Sequence, residues 1–124
     1  MALVEHRSEG HHIVRRTAAD AVTVDDRVFT ASFVLAPDRC ETEFAPHRIE
    51  ELDEAAIQII LSLSPELVLL GTGLRQHFAK PAQMAQFWKR NIGIEAMDTA
   101  AAARTFNLLA AEGRRVVAVF LIGD

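Results

Sequence analysis

The run Pro65-Glu66-Leu67-Val68-Leu69-Leu70-Gly71-Thr72-Gly73-Leu74 constrains this chain more than any other stretch. Its apolar part is too short for a helix and shows no polar alternation. Bounded by proline and glycine, it reads as a strand buried on both faces. Gly71 and Gly73 let the chain turn and let a backbone or ligand come close. Two further apolar segments follow, Ile94-Glu95-Ala96-Met97 and Val116-Val117-Ala118-Val119-Phe120-Leu121-Ile122, each after a helical pattern. Such strand–helix–strand alternation predicts a parallel arrangement, with residues 66–70, 94–97 and 116–122 in one sheet.

The helical patterns carry their own punctuation. Asp53 is placed to cap a helix in which Ala56, Ile59, Ile60 and Leu63 recur on one face, with Leu52 packing on Ile57. Ser64-Pro65 ends it. Pro81 suits the first position of a second helix with an apolar stripe of Met84, Ala85 and Trp88, and Gly93 is expected to cap its end. Asp98 caps a third, alanine-rich helix, with Thr99 as the competing cap, and Gly113 stops it.

Upstream, Val22-Thr23-Val24-Asp25-Asp26-Arg27-Val28-Phe29 predicts a hairpin turning at Asp25-Asp26. Phe29, Ala31, Phe33 and Leu35 alternate with more polar neighbours and are expected to face the core. Pro37 ends that strand, and residues 39–48 read as an irregular polar connection with Phe44 as a lid. Adjacent His11 and His12 would point to opposite sides of a strand, a poor chelate, and are assigned to the surface. Residues 1–10 are polar and unpatterned, which predicts a mobile end. The expected fold is therefore α/β: one three-layer domain spanning 1–124, with a central mixed, partly parallel sheet and an N-terminal β-hairpin.

Composition excludes several function classes. A net charge of −4 argues against a nucleic-acid partner. The only cysteine, Cys40, allows neither an internal disulfide nor a thiolate zinc cluster and fits a reducing compartment, so a cytoplasmic location is expected. No apolar run reaches the ~20 residues of a membrane helix, and Glu5 and Glu9 sit where a signal or transit peptide would avoid acids.

Four segments together resemble the Mth-domain family. They are Val68-Leu69-Leu70-Gly71-Thr72-Gly73, Gly93-Ile94-Glu95-Ala96-Met97-Asp98-Thr99, Ala103-Arg104-Thr105-Phe106-Asn107-Leu108-Leu109 and Glu112-Gly113-Arg114-Arg115-Val116. The family is similar to the mitochondrial respiratory complex I assembly factor three and to the adipogenesis-associated Mth-domain protein. The resemblance runs from the Val22 hairpin to Ile122. It implies a three-layer α/β domain, no established enzymatic activity and a role in binding protein partners during assembly. This chain has Ala102-Ala103 before Arg104, where the resemblance would place a cysteine or other small residue, so thiol chemistry does not carry over.

The residues name no catalytic set. There is no Ser-His-Asp spacing, paired carboxylate motif, P-loop lysine or metal-binding histidine pattern, and no cofactor or metal is expected. Gly71-Thr72-Gly73 matches a dinucleotide fingerprint weakly, because its third glycine position falls on Gln76 and the helix starts only near Pro81. Topology nevertheless brings the loops after Leu70 and Met97 to one sheet edge, where ligands of open α/β sheets bind. The candidate ligand-contacting residues are accordingly Gly71, Thr72, Gly73, Arg75, Asp98 and Thr99, with Asn107 from the third helix. Each also has a structural reading: tight turning for the glycines, capping for Asp98 and Thr99, a solvated charge for Arg75, and satisfaction of a neighbouring backbone for Asn107. His47 and His77 are lone loop residues. Phe78, Phe87 and Trp88 fit either a core or an interface. Two functions follow as alternatives: a non-catalytic binding or assembly module with a protein partner, or a small-molecule or anion-binding protein or enzyme using residues 71–75 and 98–99. Self-association into a homo-oligomer is compatible with either.

Overall fold

The computed structural model describes residues 10–123. The expected mobile end, residues 1–10, lies outside the described residues except for Gly10.

Strand β6 (Leu67–Gly71) lies between β7 (Gly93–Met97) and β8 (Val116–Phe120) and runs parallel to both. Register is regular, with Leu69 opposite Glu95 on one side and Ala118 on the other. On the far side of β8, β4 (Phe33–Leu35) is antiparallel to it, and β5 (Cys40–Glu41) closes the order β5-β4-β8-β6-β7. The three strands expected in one sheet are therefore neighbours in it. Strands β1 (Val14–Thr17), β2 (Val22–Val24) and β3 (Arg27–Phe29) form a separate antiparallel sheet, with Asp25 at φ 55° in the hairpin turn.

Period-2 geometry divides β6 between two cores. Leu69 faces Phe33, Phe106, Ala118, Phe120 and the small sheet. Val68 and Leu70 face the opposite side, with Ile57, Ile60, Phe87, Val117 and Val119. Helix α3 (Thr99–Ala111) covers the first face, and α1 (Glu54–Leu61) and α2 (Pro81–Trp88) contribute to the second. Burying a side chain such as Leu69 contributes about 1.5–3 kcal/mol relative to exposure. The first core also stacks Phe33 on Phe29 and Phe120, with ring centroids 4.2 and 5.2 Å away.

Asp53 and Asp98 cap as expected, accepting from the Ala56 and Ala101 N–H groups at 3.0 and 2.8 Å. At the end of α3, the Gly113 and Arg114 N–H groups return to the Ala110 and Leu109 carbonyls, both at 3.0 Å, with Gly113 at φ 80°. That is a Schellman stop.

Several local expectations are corrected. The strand expected from Phe29 to Leu35 is split between two sheets, leaving Ala31 exposed and Ser32 buried at the crossing. Ser32 Oγ donates to the Ile122 carbonyl and accepts the Ile122 N–H, which explains a hydroxyl there. Residues 39–48 are not wholly irregular, since they contain β5. In α2, Phe87 is buried, whereas Trp88 is 52% exposed. Gln83 decides that rotation: its Nε2 donates to the Ile49 and Leu52 carbonyls at 2.9 and 3.2 Å, turning the Gln83-Met84-Phe87 face inward. Asn91, at φ 60°, takes the left-handed position after α2, and Gly93 instead opens β7. His12 is fully buried, with Nδ1 2.7 Å from Asp25 Oδ2. Thr99 is the first residue of α3 rather than its cap. No helix among the described residues is long and apolar enough to cross a membrane.

Candidate functional site

The loop after β6 is built from its own hydrogen bonds. A Cβ on Gly71 would come within 3.2 Å of both Ala102 Cβ and Phe120 Cδ1, so this glycine lets α3 approach the sheet. The Thr72 N–H donates to the Met97 carbonyl at 2.9 Å. Thr72 Oγ1 donates to the Arg75 carbonyl at 2.6 Å, has the Met97 carbonyl at 3.1 Å, and accepts the His77 N–H at 3.0 Å. Gly73 and Thr99 form a reciprocal pair. The Gly73 N–H donates to Thr99 Oγ1, and the Thr99 N–H donates to the Gly73 carbonyl, both at 2.8 Å. Gln76 Nε2 closes the loop on the Ala96 carbonyl at 2.7 Å. The Thr72 and Gly73 amides, the natural donors for an anion in a glycine-rich turn, are thus already engaged.

A second segment faces this loop. The 3₁₀ turn Ile49–Glu51 is preceded by His47 and Arg48. The His47 N–H donates to Glu51 Oε1 at 2.7 Å, which holds the Glu51 carboxyl below its ordinary value, and the nearby His47 and Arg48 charges act in the same direction. His47 Nδ1 lies 3.2 Å from the Ile122 carbonyl, so as a donor it ties this segment to the end of β8. Gly123 is pressed against the same residue: a Cβ there would sit 2.5 Å from His47 Cβ.

Between the two segments lies a cleft of about 460 Å³, at the carboxyl end of the parallel strands. Thr72, Gly73, Arg75 and His77 line one side and His47, Arg48 and Glu50 the other, with Leu121 and Gly123 also in the lining. The structure therefore brings together three of the seven sequence-derived residues, Thr72, Gly73 and Arg75. Gly71 packs beneath them, Asp98 is spent as a cap, and Thr99 braces the loop from behind. Asn107 is elsewhere: its amide brackets Val14 of β1, accepting from the N–H and donating to the carbonyl, both at 2.9 Å. Sequence reasoning left His47, Arg48 and His77 out: the wall carrying His47 and Arg48 depends on contacts with Ile122 and Gly123, and His77 is placed by its N–H on Thr72 Oγ1. No group of three or more His, Cys, Asp or Glu residues suited to a metal ion occurs among the described residues.

Residues 14–121 match the family described as "Protein of unknown function (DUF498/DUF598)". The chain belongs to this family. A crystal structure of a member-like protein from Bordetella parapertussis superposes with a TM-score of 0.85 at 34% identity, covering 94% of this chain and 100% of that one. A Bordetella pertussis protein described as a Mth938-like domain gives 0.77 at 29% identity, covering 90% and 85%. The family resemblance read from the sequence is therefore correct. Among curated proteins, the chain is 29% identical over 94 residues to the NADH dehydrogenase (ubiquinone) 1 alpha subcomplex assembly factor 3 of Danio rerio, covering 76% of this chain. The chain spans 54% and 59% of the lengths of the curated relatives it matches.

Proposed function

We propose that this protein is a non-catalytic assembly module that docks a protein partner through the loop after β6 and helix α2. The observation that carries this reading is the exposure of Leu74 (78%), Phe78 (74%) and Trp88 (52%) within one short stretch of chain. Large apolar side chains concentrated in water on one segment support an interaction surface there, and aromatic residues supply much of the energy of such contacts. Similarity to a protein named as an assembly factor supports the same reading. The single cysteine, buried at Cys40, fits a reducing cytoplasmic setting.

The test is affinity capture from the native cell with mass spectrometry, using the unmodified protein and a Leu74→Ser/Phe78→Ser/Trp88→Ser variant. A specific partner retained by the first and lost by the second, with unchanged circular dichroism, is the expected result. Equal capture by both would remove the docking surface from consideration.

A further inference from the structure

We infer that the cleft between residues 47–50 and 72–77 binds a small ligand through an oxyanion, a carboxylate or a phosphate; this goes beyond the docking of a protein partner. Its size falls within the range of ordinary small-molecule sites, and it opens at the carboxyl end of parallel strands. The charge lining it is opposite to that of the chain. Arg48 and Arg75 approach from the two sides with His47 and His77, against the single acid Glu50, in a protein of net charge −4.

The two arginines differ from those that serve structure. Arg75 is exposed, and its guanidinium makes no ion pair or hydrogen bond among the described residues. Arg48 has Glu51 at 3.9 Å, a carboxylate already accepting the His47 N–H at 2.7 Å. Guanidinium groups present paired donors that match an oxyanion in geometry and charge. The walls are set before any ligand arrives: the Thr72, Thr99 and Gln76 bonds shape one side, and Glu51 and Ile122 hold His47 on the other. Selectivity then falls largely on the side chains, since the Thr72, Gly73 and His77 amides are occupied. Glu50 opposes binding, so affinity is modest and Arg75 carries a large share of it.

The test is an amide NMR titration with inorganic phosphate and, separately, citrate, each against sodium chloride at matched ionic strength. Saturable shifts confined to residues 47–50 and 72–77 are expected. Arg75→Ala should weaken binding about tenfold or more, as loss of a charge-assisted hydrogen bond does. Arg48→Ala should weaken it less. Arg114→Ala, at the opposite end of the strands, should leave it unchanged. Saturation by phosphate alone or citrate alone supports the site and fixes its class. If neither anion gives saturable shifts there, if chloride reproduces them, or if Arg114→Ala weakens binding as much as Arg75→Ala, the site is overturned.

Discussion

Arginines lie beyond both ends of the parallel strands, and the two edges use them differently. At the amino edge, Glu66 accepts from Arg114 Nε at 3.2 Å and from the Arg115 N–H at 2.9 Å. The Arg115 guanidinium donates to the Leu63 carbonyl from Nε and Nη2 at 3.0 and 2.8 Å, and to Asp38 at 2.6 Å. These groups stitch the end of α1, the start of β6 and the approach to β8 together. At the carboxyl edge, the loop after β6 is stitched by neutral groups: Thr72, Thr99, Gln76 and backbone. Of the arginines there, Arg75 is left over and Arg48 has only Glu51, at 3.9 Å. Residue type is the same at both edges, so what separates a structural arginine from a candidate functional one is whether the fold has already used its donors.

The largest effect should come from the core that both edges share. Leu69→Ala should cost about 2–5 kcal/mol in urea denaturation, the transfer and cavity terms of a buried leucine. It should leave the phosphate and citrate titrations of folded protein unchanged. An affinity loss with it would show that the carboxyl edge is not independently braced.

A smaller effect separates the edges directly. Arg115→Ala removes donors from the Leu63 carbonyl and from Asp38 and should cost about 1–3 kcal/mol. Arg75→Ala should fall within about 0.5 kcal/mol of the unmodified protein, as surface changes do. Comparable losses for both, measured by the same denaturation, would erase the distinction between used and unused arginines.

The smallest effect concerns Glu66. Its carboxyl is held below its ordinary value, first by the Arg115 N–H and then by the Arg114 side chain. A depressed carboxylate stabilises the fold above the unfolded-state value, and that contribution disappears as pH falls through the lowered one. Because the group is half exposed, the effect is weak. Glu66→Gln should flatten the acid limb of the melting-temperature profile slightly. An unchanged profile would mean that the amino edge is held by Arg115 alone.

Much of this architecture is legible in the sequence because it is locally encoded. A four-residue apolar run between proline and glycine, aspartates before apolar periodicity and a glycine after an alanine-rich helix each specify an element without reference to the rest of the chain. The failures occur where a distant group decides. Phe87 and Trp88 are adjacent, and either completes an apolar stripe with Met84. The choice depends on Gln83 reaching the Ile49 and Leu52 carbonyls. Asn91 displaces Gly93 as the turning residue because β7 begins at the glycine, paired with Leu67. His12 is drawn inside by Asp25 across the hairpin. The candidate site shows the same division. Topology alone points to the loop carrying Thr72, Gly73 and Arg75, but the opposing wall at His47 and Arg48 is set by Ile122 and Gly123, which no local pattern connects to it.

Strand β8 lies at the centre of the large sheet yet comes last among the described strands, and it pairs with both β4 and β6. During synthesis, β4 emerges long before the partner it needs. Phe33 waits for Phe120, and β6 can pair only with β7 until then. The nascent chain therefore presents unpaired strand edges and a half-built apolar layer until β8 leaves the ribosome. A pause or truncation ahead of Val116 should therefore expose the chain to aggregation more than one after β8.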